Sequence, residues 1–167
     1  MGTPPRLWVA DVDSNRLIRI DPVSGEQKEF IVPADVFIGP HTLHPGKDDH
    51  LWVAPQFNGI VARLNIVTEE WRLWKLQTES GGEIGIHDLT FDWRHELVTD
   101  TRGRIWFSDI INNAVGYLNP ETGEHGIYKV PEIPGRPGKG AGLYGIVMTS
   151  DRQHIWYSQL GIGSFGS

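Results

Sequence analysis

A short tryptophan-centred phrase recurs four times in this chain, and that recurrence constrains the fold more than any other feature. The four copies are Leu7-Trp-Val-Ala-Asp11, Leu51-Trp-Val-Ala-Pro55, Ile105-Trp-Phe-Ser-Asp109 and Ile155-Trp-Tyr-Ser-Gln159. Their tryptophans, Trp8, Trp52, Trp106 and Trp156, are 44, 54 and 50 residues apart. Behind each of the first three lies a second matching stretch: Arg16-Leu-Ile-Arg-Ile-Asp-Pro-Val-Ser-Gly-Glu26, Ile60-Val-Ala-Arg-Leu-Asn-Ile-Val-Thr-Glu-Glu70 and Ala114-Val-Gly-Tyr-Leu-Asn-Pro-Glu-Thr-Gly-Glu124. Each reads as a strand, an Asp- or Asn-led turn and the start of another strand, because Asx side chains bond their own backbone in turns and proline presets the next φ. A further strand follows, at 27–32, 71–76 and 125–130. Upstream of each tryptophan from the second onward comes one more: His41-Thr-Leu, His95-Glu-Leu-Val and Tyr144-Gly-Ile-Val-Met.

The repeating unit is therefore four antiparallel strands in roughly 40–50 residues, which is the blade of a β-propeller. No segment carries a 3.6-residue apolar period, so the chain is expected to be all-β. The blades fall at about 7–33, 39–76, 95–131 and 143–167, the first and last incomplete. That makes about three and a half blades, where complete rings use about 4–8. A fragment of a longer propeller, two copies closing one ring by self-association, or four blades sharing one between the termini would each account for the count. The mid-blade ends favour the fragment. Two connections, 77–94 and 132–142, are enlarged and are expected to form a lid over one face.

Composition narrows the function. The formal net charge is −6 and the fifteen Lys and Arg are scattered. Phosphate binding needs a concentrated basic face, so nucleic acid is not an expected partner. No apolar run approaches the ~20 residues of a membrane helix, and the N-terminal residues carry no charged-then-apolar leader, which leaves the compartment open. The absence of cysteine excludes thiol chemistry and thiolate metal sites.

In a propeller the first strand of each blade lines the channel and the second runs antiparallel beside it. The start of the first and the end of the second therefore meet at one channel mouth. In the second blade these positions are His41 and Pro55, and in the third His95 and Asp109, 14 residues apart in each case. In the last they are Tyr144 and Gln159, and the first blade contributes Asp11. Histidine with carboxylates suggests a base beside a hard cation such as Mg²⁺. The plain alternative is that a repeat copies its polar rim residues, with His95 and Asp109 bonded only to each other or to backbone. His87, in an enlarged connection, is within reach of the mouth. His44, His50, His125 and His154 read as solvated, and the tryptophans as core between blades. Asp11-Val-Asp-Ser-Asn15 lacks the glycine and closing glutamate of a calcium loop, and the stretch 135–140 lacks the Ser or Thr of a P-loop.

Gly39-Pro-His41 with Leu51-Trp-Val-Ala, and Ile105-Trp-Phe-Ser-Asp109 with Asn113-Ala-Val-Gly-Tyr-Leu-Asn-Pro-Glu-Thr-Gly-Glu124, resemble the repeats of the virginiamycin B lyase (streptogramin B lyase) family over nearly the whole chain. The resemblance implies a seven-bladed ring and a Mg²⁺-dependent elimination that opens the ester of a cyclic depsipeptide antibiotic. It implies a histidine base at His41 or His95 and metal support at Asp109 and Asp11. Tyr144, Gln159 and His87 are the expected ligand-binding residues from their places at or near the mouth. No blade here pairs His with the family's Glu. A non-catalytic propeller that binds a small ligand or a protein at the same mouth is the competing expectation, and a lactonase-type propeller a third.

Overall fold

The computed structural model describes residues 6–47, 49–91, 97–131, 142–159 and 164–166. They form four antiparallel sheets. The first holds β1 (Leu7–Asp11), β2 (Arg16–Ile20) and β3 (Gln27–Ile31). The second holds β4 (Pro40–Pro45), β5 (His50–Pro55), β6 (Ile60–Asn65) and β7 (Trp71–Lys75). The third holds β8 (Ile86–Leu89), β9 (Ile105–Asp109), β10 (Ala114–Leu118) and β11 (His125–Lys129). The fourth holds β12 (Leu143–Met148), β13 (Ile155–Gln159) and β14 (Ser164–Gly166). In the complete sheets each strand pairs with its neighbour in sequence, as in a propeller blade. The described helical structure is one 3₁₀ turn at Val12–Ser14, and no described helix is long and apolar enough to cross a membrane.

The Asx turns close the outer hairpins as their chemistry requires. Asp21 Oδ1 accepts the N–H groups of Val23 and Ser24, Asn65 Oδ1 those of Val67 and Thr68, and Asn119 Oδ1 those of Glu121 and Thr122. Each turn then needs a residue at positive φ. Gly25 and Gly123 supply it in the first and third blades; in the second, Glu69 takes φ 63°, a conformation uncommon for a residue with a Cβ.

Tryptophan alternation stitches the blades together. Trp8 packs against the second sheet, Trp52 against the third and Trp106 against the fourth. On the second sheet the Arg63 guanidinium lies 5.3 Å from the Trp52 ring and 5.6 Å from the Trp74 ring. Trp74 Nε1 donates to the Pro120 carbonyl of the next blade at 3.1 Å. Burial of these large rings, with the aliphatic residues of the same clusters, holds the blades together.

The third blade departs from the expected boundary at 95. Its inner strand is β8, where Ile86 pairs with Asp109 and Leu89 with Phe107. The 14-residue spacing placed His95 opposite Asp109; the core placed Ile86 there. Ile84, Ile86 and Leu89 are fully buried against Trp52 and Trp74, and an apolar register of this kind decides which residues face inward. The connection to β9 is correspondingly long, and its Asp100 carboxylate caps a turn by accepting the N–H groups of Arg102 and Arg104. The segment 77–94, expected as lid, thus contains a blade strand. His95 and most of the second enlarged connection lie outside the described residues.

Candidate functional site

The inner strands β4, β8 and β12 stand side by side and begin alike. β4 has a register break between Pro40 and Thr42, β8 between Ile86 and Asp88, and β12 between Leu143 and Ile146. A bulge re-aims the residue it holds. The residues held there are His41, His87 and, beside Gly145, Tyr144. Their rings form a continuous row: His41 and His87 have centroids 4.6 Å apart, and His87 and Tyr144 3.8 Å apart. His87, in the middle of the row, is 4% exposed, between the half-buried His41 and Tyr144, which is 42% exposed.

Hydrogen bonds between blades hold this row. His87 Nδ1 lies 3.2 Å from the Tyr144 carbonyl. The Thr42 hydroxyl donates to the His87 carbonyl at 2.9 Å, and His41 Nδ1 lies 3.0 Å from that hydroxyl oxygen. Ser108 Oγ accepts the Asp88 N–H and donates to the Tyr144 carbonyl at 2.7 Å. Burial, and then the charge of His41, lower the pKa of His87, so its neutral form is favoured.

The carboxylates expected at the mouth are committed elsewhere. Asp109 is fully buried at the end of β9. Its Oδ1 accepts the N–H groups of Gly85, Ile111 and Asn112, and its Oδ2 the Asn112 side-chain amide at 2.6 Å. Burial pushes this carboxyl up, against the opposing pull of the Asn112 bonds. Asp11 accepts Arg16 Nε at 2.8 Å. Gln159 pairs with Leu143 across the β12–β13 ladder and donates to Asn113 Oδ1 at 3.2 Å. Mg²⁺ takes oxygen donors in a near-octahedral set. The ring row offers imidazole nitrogens and one phenol, and no three His, Cys, Asp or Glu gather around a common point among the described residues. These residues do not fit the ion.

One histidine expected in solvent is in the interior. His44, at the far end of β4, is 2% exposed, donates from Nε2 to Asp88 Oδ1 at 2.7 Å and stacks on Phe91. No spacing in the sequence distinguishes it from the solvated histidines. Its burial follows from the placement of β8, which brings Asp88 beside it.

Four sheets of this order, with tryptophans packed blade on blade and polar residues at one end of the inner strands, define part of a β-propeller. Known structures agree in fold. A streptogramin B lyase structure superposes with a TM-score of 0.68 at 19% identity, over 92% of this chain and 44% of that one. A catalytically inactive virginiamycin B lyase from Staphylococcus aureus, with quinupristin, gives 0.66 at 17% identity, over 98% of this chain and 52% of that one. An auxiliary nutrient binding protein from Bacteroides thetaiotaomicron gives 0.65 at 12% identity, over 93% and 43%. The chain thus spans about half the length of these structures. No protein-family model matches it, and no curated protein does.

Proposed function

We propose that this chain supplies part of a small-molecule site at a propeller channel mouth, with His41, His87 and Tyr144 as its binding surface. The observation that carries the reading is the unbroken row of three rings, each from a different blade and each at the bulge of an inner strand. Aromatic walls with a few fixed polar atoms are what small-molecule sites are made of. The structural neighbours include both an enzyme and a nutrient binding protein, so the fold serves either use.

A second reading, an elimination like that of the streptogramin B lyases, is favoured by the state of His87. It is buried toward its neutral form, and its Nε2 has no hydrogen-bond partner among the described residues, which suits a general base. Nε2 takes the proton from a carbon next to a carbonyl. The electron pair forms a carbon–carbon double bond, the bond to the ester oxygen breaks, and the acyl group leaves as carboxylate. Asp11 and Asp109 have no part in this step.

Quinupristin titrated calorimetrically into the wild type and into His87→Ala and His41→Ala tests both readings. Each substitution is expected to weaken binding at least tenfold. If wild type also opens the ring, the product of an elimination keeps the substrate's mass, whereas hydrolysis adds one water. Turnover surviving in His87→Ala excludes His87 as the base, and binding unchanged in both variants excludes the mouth as the site.

A further inference from the structure

The hydrogen bonds around His41 and His87 constrain their tautomers, and the tautomers set which ring nitrogens are left for a ligand. A carbonyl oxygen only accepts. His87 Nδ1, 3.2 Å from the Tyr144 carbonyl, therefore carries its proton. The Thr42 hydroxyl has one proton and spends it on the His87 carbonyl. Its oxygen can then only accept from His41 Nδ1, which must also be protonated. With both Nδ1–H groups committed to the fold, each neutral imidazole is left with Nε2 as a bare acceptor.

We infer that Thr42 and the Tyr144 carbonyl fix the two mouth histidines as paired hydrogen-bond acceptors, so that the mouth prefers neutral ligands with hydroxyl or amide N–H donors to carboxylates. This rests on the reading of the mouth as a ligand site. Thr42 is a positioning residue: it bonds His41 and the neighbouring blade and acts on the ligand only through the imidazole. A carboxylate entering the row has no proton to offer and finds the Tyr144 phenol as the row's one donor, while two imidazole lone pairs oppose it in a site that is partly desolvated. A phenol offers one donor and a ring of the same size.

The test uses long-range proton–nitrogen spectra of the imidazoles in the 167-residue chain at pH 8, above the ordinary imidazole range, with phenol and benzoate as matched probes. Both His41 and His87 are expected in the Nδ1–H form. Phenol is expected to shift their Nε2 resonances with at least ~10-fold higher affinity than benzoate, a difference of about 1.4 kcal/mol. In Thr42→Val, His41 is expected to move to the Nε2–H form common in water, His87 to keep its form, and the preference for phenol to shrink below threefold. Thr42→Ser is expected to restore both. If Thr42→Val does not fold, the wild-type tautomers and the probe pair still decide. His41 in the Nε2–H form in wild type, or benzoate binding as well as phenol, overturns the inference and leaves the mouth reading standing. Binding of neither probe overturns both.

Discussion

The two ends of the inner strands make opposite use of the same residue type. At one end of β4, His41 is half-buried and bonds through Nδ1, with its ring against His87. At the other, three residues along, His44 is 2% exposed and bonds through Nε2 to the buried Asp88. Its Nδ1 is a buried side-chain nitrogen with no hydrogen-bond partner among the described residues. One end gathers its histidines into a row of rings with Tyr144; the other spends its histidine on joining two blades. Burial of the partner, not the histidine itself, separates the roles.

The largest effect expected from breaking this contrast is at the closed end. His44→Ala removes the ring stacked on Phe91 and leaves the Asp88 carboxylate buried without its main partner. Urea denaturation should show a loss of about 3 kcal/mol, the scale for breaking a buried pair. A loss under about 1 kcal/mol would mean that water reaches the pair. An intermediate effect is expected at His87, and it depends on pH. Because its folded pKa is lowered, the unfolded chain binds the proton more readily, and stability falls as pH drops below the ordinary value of 6.5 toward the lowered one. His87→Gln should remove that part of the slope, seen as a flatter denaturation midpoint between pH 7 and 5; an unchanged slope would place the titration elsewhere. The smallest effect on stability belongs to His41. His41→Ala should cost about 1 kcal/mol or less, the scale of one partly exposed hydrogen bond, although the proposed mouth binding is expected to weaken at least tenfold. A stability loss equal to that of His44→Ala would erase the distinction between the two ends.

Much of the architecture was legible because strands and turns are local. The Trp phrases mark β1, β5, β9 and β13, and the Asx turns mark the outer hairpins, since both depend on residues a few positions apart. The inner strand of the third blade was not legible in the same way. The stretches around His87 and His95 both lie upstream of Trp106 at plausible hairpin distance, and choosing between them requires knowing that Ile84, Ile86 and Leu89 fill the space against Trp52 and Trp74. The site followed suit. His41 and Tyr144 stand where the blade repeat puts them. The meeting of His41 with His87 and the withdrawal of Asp109 into a turn come from contacts between elements far apart in sequence.

What the sequence by itself determined is the repeat: how many strands, in what order, closed by which turns, and therefore a propeller. Only the tertiary structure decided which residue of each repeat reaches the mouth, which histidine is sealed inside and which carboxylates are spent on the backbone. The reason is that alternation along a strand assigns a face but not a neighbour. A one-residue bulge or a shifted hairpin changes the neighbour without changing the pattern.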